Sequence, residues 1–175
     1  MVKLSTILSV VCITVALILG LTYNITKPII AAQVDREQKE ALKAVVPGAD
    51  TYEKSTFSKG EYYKCFKKGA LSGYAIYVVS PGYSGDINML LGIDKTGRIL
   101  GVEIISQSET PGLGARCVEV KSGQTGPWFL EQFKGRDARS LALKGIETIT
   151  GSTITSRAIL DGLKTYAEVF LKEVK

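Results

Sequence analysis

From Leu4 to Thr26 the chain carries no charged side chain, and between Ile7 and Tyr23 nearly every residue is apolar. A helix that spans a bilayer needs ~20 such residues, since in hydrocarbon each backbone amide must bond within its own helix. The run therefore predicts one transmembrane helix over residues 1–26. A cleaved signal peptide would have a shorter apolar core and small residues just before the cut. Here Leu21-Thr22-Tyr23 is bulky, Ile30-Ala31-Ala32 lies too far along, and Cys12 follows Val10-Val11 rather than the small residue of a lipoprotein site. The segment is expected to remain as an anchor in a lipid bilayer. Lys3 on one side and Lys27, Arg36, Lys39 and Lys43 on the other leave the positive-charge rule undecided. The short stub before a single long apolar run points to an N-terminus inside and a domain outside the cytoplasm.

Beyond the anchor, residues 27–48 read as a connecting helix. Val34, Ala41, Leu42 and Val45 recur at helical spacing over 33–46, and Pro47-Gly48 ends the pattern. Residues 49–175 then form one domain. Residues 62–67 and 73–80 are rich in aromatic and β-branched types and are parted by Gly69 and Ser72-Gly73, so both are expected strands. Pro81-Gly82-Tyr83-Ser84-Gly85 is a turn. The apolar runs 86–94 and 98–106 flank Asp94-Lys95-Thr96-Gly97 as a hairpin. A short helix is expected over 127–133, opened by Pro127, and a short strand over 141–144. The last helix is placed at about 155–172, with Ile159, Leu163, Tyr166, Ala167 and Phe170 on one face. Strands in the middle and helices at both ends predict an α+β fold, an antiparallel sheet with flanking helices.

Composition narrows the chemistry. The chain has no histidine, three cysteines (Cys12, Cys65 and Cys117) and no C-x-x-C, so neither the commonest general base nor a clustered metal set is at hand. No catalytic residue and no metal ligand is assigned. Cys65 and Cys117 are expected to be separate buried thiols rather than a disulfide. The excess of 22 Lys and Arg over 17 Asp and Glu is spread thinly. Lys67-Lys68 beside Tyr62, Tyr63 and Phe66 is a poor version of a nucleic-acid surface, so no such partner is expected.

Two glycine-bearing loops remain. Thr150-Gly151-Ser152-Thr153-Ile154-Thr155-Ser156 gathers hydroxyls just before the last helix, where backbone N–H groups and the positive end of the helix dipole favour an anion. If Thr155 or Ser156 caps that helix, Thr153 sits just outside it and other hydroxyls stay free. Arg157 in the first turn opposes the dipole, which an anion would offset. Upstream, Ser108-Glu109-Thr110-Pro111-Gly112-Leu113-Gly114 places Pro111-Gly112 at the centre of a type II turn. On the residues alone, a helix cap for the first loop and a tight connection without ligand for the second are the favoured readings.

The first of these loops resembles the Ser/Thr-Gly-Ala-Thr flavinylation motif of the FMN-binding domain family, and the second resembles that family's other signature. Ser152 stands where the family usually has Ala, and Glu147 where Asp is commoner. The order of anchor, domain and C-terminal motif is similar to that of the G subunits of Rnf-type ion-translocating ferredoxin:NAD oxidoreductases, and the resemblance covers essentially the whole chain. It implies FMN joined through its phosphate to the hydroxyl of Thr153. Thr150, Gly151, Ser152 and Thr155 would shape the phosphate pocket, with Glu109, Thr110, Gly112, Leu113 and Gly114 along the ring. It also implies a flavin transferase, using FAD and magnesium, that makes the ester. The location implied is the extracytoplasmic face of a bacterial inner membrane, and the partners are the other redox and membrane subunits. The activity implied is electron transfer as one subunit of a translocase, without turnover by the chain alone, since the flavin supplies the redox step. The C subunit of the Na⁺-translocating NADH:quinone reductase, generally longer, and an anchored module without flavin are the alternatives.

Overall fold

The structure, a computed structural model, describes residues 2–174 and, within its first helix, the side chains of 12–27, 33 and 36–45. It has two compact units, Met1–Glu40 and Ala41–Lys175. Helix α1 (Val2–Val45) joins the expected anchor and the expected connecting helix in one element. Polar residues there bond along the helix instead of capping its ends. Thr22 donates to the Ile18 carbonyl at 2.8 Å and Thr26 donates to that of Thr22, while Gln33 bonds Glu37 and Arg36 bonds Glu40. Among the described residues no helix is long and apolar enough to cross a membrane. Positions 1–11 of the expected span lie outside the described side chains. Of those described, Ile13, Leu17, Leu21 and Ile25 are all at least 60% exposed.

The second unit is built on a five-stranded antiparallel meander. Its strands β1 (Thr51–Phe57), β2 (Gly60–Lys67), β3 (Ala70–Pro81), β4 (Asp86–Ile93) and β5 (Ile99–Ser106) lie in chain order. Sequential neighbours follow from the tight turns. Lys68 and Gly69, with φ of 50° and 78°, make the two-residue link from β2 to β3. Asp94 Oδ1 accepts from Thr96 N and Thr96 Oγ1, both at 2.7 Å, and from Arg98 N at 3.0 Å, which closes the β4–β5 link. Strand β1 was not expected: its side chains are mostly exposed, so the apolar alternation is weak, yet it pairs with β2 from Thr51↔Phe66 to Phe57↔Gly60.

The expected strand over 141–144 does not form. Residues 135–137 instead meet the start of β5, with Ile99 N donating to Arg136 O at 2.9 Å and Gly135 N to Ile99 O at 2.8 Å. Helix α2 is also shorter than expected, Trp128–Glu131.

Period-two alternation divides the sheet between two cores. On one face Tyr62, Ile76, Val78, Met89 and Leu91 meet α3 (Thr153–Glu173) through Ile159, Leu163 and Phe170, with Phe129 and Phe133 beside them. Phe170 is central: Tyr62, Tyr74 and Phe57 meet its ring edge-on at 4.9, 5.1 and 5.6 Å. On the other face the last turn of α1 and the residues after it, Ala41, Leu42, Val45 and Val46, cover Tyr63, Cys65, Ala75 and Leu90. What positions the site is the contact between β3 and α3. Ser80 Oγ donates to the Ala158 carbonyl at 2.7 Å, and a Cβ on Gly162 would stand 2.7 Å from Ser80 Cβ. The start of α3 is thereby held beside the loop that follows β3.

Candidate functional site

Three segments converge at that end of the domain: the 81–85 turn, the 108–114 loop leaving β5, and the 150–155 stretch that opens α3. Between them lies a cleft of about 430 Å³, lined by Tyr83, Glu109, Thr110, Leu113, Gly114 and residues 151–155. That volume falls in the range of ~300–1,000 Å³ usual for small-molecule sites.

The 108–114 loop is shaped by its own sequence. Leu113 N donates to Thr110 O at 3.1 Å across Pro111-Gly112, and Gly112 has φ of +77°, the positive value that the third residue of a type II turn requires. The turn leaves Leu113 about half exposed and places Gly114 against the cleft floor.

Glu109 forms that floor. It is 5% exposed, and its carboxylate collects donors from two other segments. Oε1 accepts from the backbone of Tyr83 at 2.8 Å and of Ser84 at 3.0 Å, and Oε2 accepts from Thr155 Oγ1 at 2.5 Å. A buried carboxylate is costly unless it is bonded in this way. Two glycines make room for it: a Cβ on Gly82 would lie 2.4 Å from Oε1, and one on Gly114 would lie 2.4 Å from Oε2. Directly behind, the Cys117 thiol is pushed up to about 11 by burial, with the charge of Glu109 adding to the shift.

Helix α3 starts two residues earlier than the sequence suggested, at Thr153, with Ser152 as the N-cap residue. Neither expected capping hydroxyl caps it. Thr155 bonds Glu109, while Ser156 Oγ donates to Ser152 O and accepts from Ile149 N, each at 3.0 Å. Ser152 makes no side-chain cap bond, so the first helical amides face the cleft mouth without a side-chain acceptor. Thr153 is thus the first residue of the helix, not a residue outside it, and it is exposed.

Eight of the ten residues singled out by sequence line one cleft: Glu109, Thr110, Leu113, Gly114, Gly151, Ser152, Thr153 and Thr155. Thr150 is exposed and does not line it, because Gly151, at φ of +76°, turns the chain between them. Gly112 serves the turn and lies outside the lining. Tyr83 and Ile154 line the cleft without having been anticipated. An aromatic residue between the glycines of the 81–85 turn was the available signal for Tyr83. Arg157 shares with Thr153 a second hollow of about 290 Å³.

Matches to known proteins identify the family. Residues 82–168 match an FMN-binding domain, and residues 1–45 match an RnfG N-terminal region. The chain is 30% identical to the G subunit of the proton-translocating ferredoxin:NAD(+) oxidoreductase complex of Clostridium ljungdahlii, over 92% of this chain and 86% of that one. It is 31% identical to the G subunit of the Na(+)-translocating ferredoxin:NAD(+) oxidoreductase complex of Acetobacterium woodii, over 96% and 90%. Among solved structures, NqrC of Shewanella oneidensis superposes with a TM-score of 0.54 at 19% identity, covering 77% of this chain and 73% of that one, a likeness of fold. The chain belongs to the family of G subunits of ion-translocating ferredoxin:NAD(+) oxidoreductase complexes.

Proposed function

We propose that this chain is the electron-carrier subunit of a Rnf-type complex, with FMN attached as a phosphoester to Thr153. The observation that carries the reading is the uncapped start of α3, which presents an exposed threonine hydroxyl at the mouth of a cleft whose other wall is the 108–114 loop. A phosphate on Thr153 would meet the free amides and positive dipole end of α3. Leu113 and Tyr83 would offer apolar surface to a flat ring, and Gly114 permits close backbone approach. Arg157 lies on the Thr153 side, where its charge would offset that of the ester. Bound FMN would accept and pass on electrons, so the chain's own residues have to hold, orient and partly shield it, and no base is needed.

The rest of the reading is organisational. The exposed apolar side chains of 12–26 belong to an anchor over 1–26 that lies in the inner membrane, N-terminus inside, with the domain on the extracytoplasmic face. A flavin transferase loads the chain, and the other subunits exchange electrons with it. Extensive coverage of two G-subunit relatives supports this assignment over a quinone reductase C subunit.

The test is co-expression of the full chain with a flavin transferase, followed by in-gel flavin fluorescence after denaturation. Fluorescence is expected in the wild type and absent in Thr153→Ala. A wild-type chain without a covalent flavin would overturn the reading, as would a Thr153→Ala chain that still carries one. Protease treatment of intact spheroplasts checks the topology, where full protection of the domain would contradict export.

A further inference from the structure

Two hydroxyls stand two positions apart at the start of α3, and they differ in what holds them. Thr153 is exposed at the cleft, and its hydroxyl has no hydrogen-bond partner among the described residues. Thr155 is 1% exposed, and its Oγ1 donates to Glu109 Oε2 at 2.5 Å. Glu109 is fixed in turn by the amides of Tyr83 and Ser84, and the space it occupies exists only because residues 82 and 114 lack a Cβ. None of these hydrogen bonds belongs to the ladders of the sheet. They join the turn after β3, the loop after β5 and the first turn of α3.

We propose that Glu109 is the positioning residue that decides which of the two hydroxyls takes the phosphoester: by holding Thr155 inward it fixes the rotation of the first turn of α3 so that, of the two, Thr153 alone offers an exposed hydroxyl at the cleft. The proposal rests on the covalent-FMN reading. In the loading step the acceptor oxygen forms a new P–O bond to the FMN phosphorus of FAD, the P–O bond of the pyrophosphate breaks, and AMP leaves. The hydroxyl proton goes to a base of the transferase, and nothing is oxidised or reduced. A carboxylate 2.5 Å from Thr155 would draw on that proton, which by itself would favour Thr155 as the acceptor. Access decides against this, since a phosphorus centre cannot approach an oxygen that is shut from solvent. The bond therefore acts as a lock, and the unbonded, exposed Thr153 is the acceptor.

The test uses the full chain, loaded by a flavin transferase with FAD in membranes and mapped by peptide mass spectrometry along a time course. In the wild type the FMN-sized adduct is expected on Thr153 alone. Thr155→Val keeps the side-chain volume and removes only the bond, so attachment should stay on Thr153 with an initial rate lower by about tenfold, as for one lost charge-assisted hydrogen bond. Glu109→Ala should divide the adduct between Thr153 and Thr155, and Glu109→Gln, which keeps an acceptor oxygen, should restore attachment to Thr153. A Glu109→Ala chain that melts like the wild type and loads Thr153 alone overturns the proposal. If that variant does not fold, Thr155→Val decides: an unchanged loading rate overturns the proposal. No adduct on the wild type would instead overturn the FMN reading, so the two failures are distinguishable.

Discussion

A Cβ placed on Gly92 would stand 2.0 Å from the carbonyl oxygen of Val45, the last residue of α1. Gly101, the cross-strand partner of Gly92, is confined less tightly, with its own Cβ position 3.0 Å from the Ala44 carbonyl oxygen. Two side-by-side glycines on β4 and β5 thus let the backbone of the last turn of α1 lie directly on the sheet, and rigid backbone cannot yield as a flexible side chain would. Gly92→Ala is expected to destabilise the domain by about 1–3 kcal/mol through overpacking. Urea unfolding checks this, and a midpoint equal to that of the wild type would show that the α1 end is not seated on the sheet in this way.

At the cleft, Gly114→Ala should have a different effect. Its Cβ would fall 2.4 Å from Glu109 Oε2 and 2.7 Å from Thr155 Oγ1, so it attacks the bond between them rather than a core. The expected result is a loss of about 1–3 kcal/mol, the cost of disturbing a buried charge-assisted hydrogen bond, together with slower flavin loading. Denaturant melts and in-gel fluorescence on the same preparation measure both. Undiminished loading would place the 114 backbone farther from the site.

The hairpin link between β4 and β5 offers a surface test. Asp94 takes three hydrogen bonds from Thr96 and Arg98, and although burial alone would raise its pKa, these bonds hold it below the usual carboxylate value. Asp94→Ala should cost about 1 kcal/mol. The stabilising effect of Asp94 should be complete above the ordinary carboxylate range and fade as the pH falls through its lowered value. A wild-type melt at neutral pH for Asp94→Ala would refute this.

Both domain thiols should be unreactive in the folded chain. Cys65 and Cys117 are fully buried, and burial pushes each from 9.0 up to about 11. Because the folded values lie above the unfolded one, the stability the protonated thiols contribute is complete below about pH 9 and is lost as the pH rises towards about 11. Alkylating reagents at pH 8 should label Cys65 and Cys117 only after denaturant is added. Replacing both by alanine should flatten the decline in stability between those pH values. Rapid labelling of either thiol in the folded domain would count against this packing.

Much of this was legible in the sequence. Four of the five strands, the β4–β5 hairpin, the type II turn at Pro111-Gly112 and the apolar face of α3 follow from periodicity and turn chemistry, which are local. The start of α3 was not legible. A run of hydroxyls offers several caps, and the choice was settled by competing partners: Thr155 is committed to Glu109, 46 residues away, and Ser156 to Ile149 in the preceding loop. Glu109 could be named as a cleft residue only through the family resemblance, and its place as the floor depends on the turn at Tyr83 and Ser84, which looked like a plain connection. Strand β1 escaped because an exposed edge strand needs little apolar alternation. The 141–144 segment misled because Leu141, buried in the core, resembles a strand residue although it pairs with no strand.

The bond from Thr155 to Glu109 also sets an order of events. One wall of the cleft is complete once the meander has formed, but its floor closes only when α3, synthesised later, docks and brings the threonine to the waiting carboxylate. An unfolded or truncated chain can carry every residue of the hydroxyl-rich motif and still present no cleft. A modifying enzyme that reads the assembled surface would therefore sense completed folding, and the cofactor would mark chains that have passed that inspection.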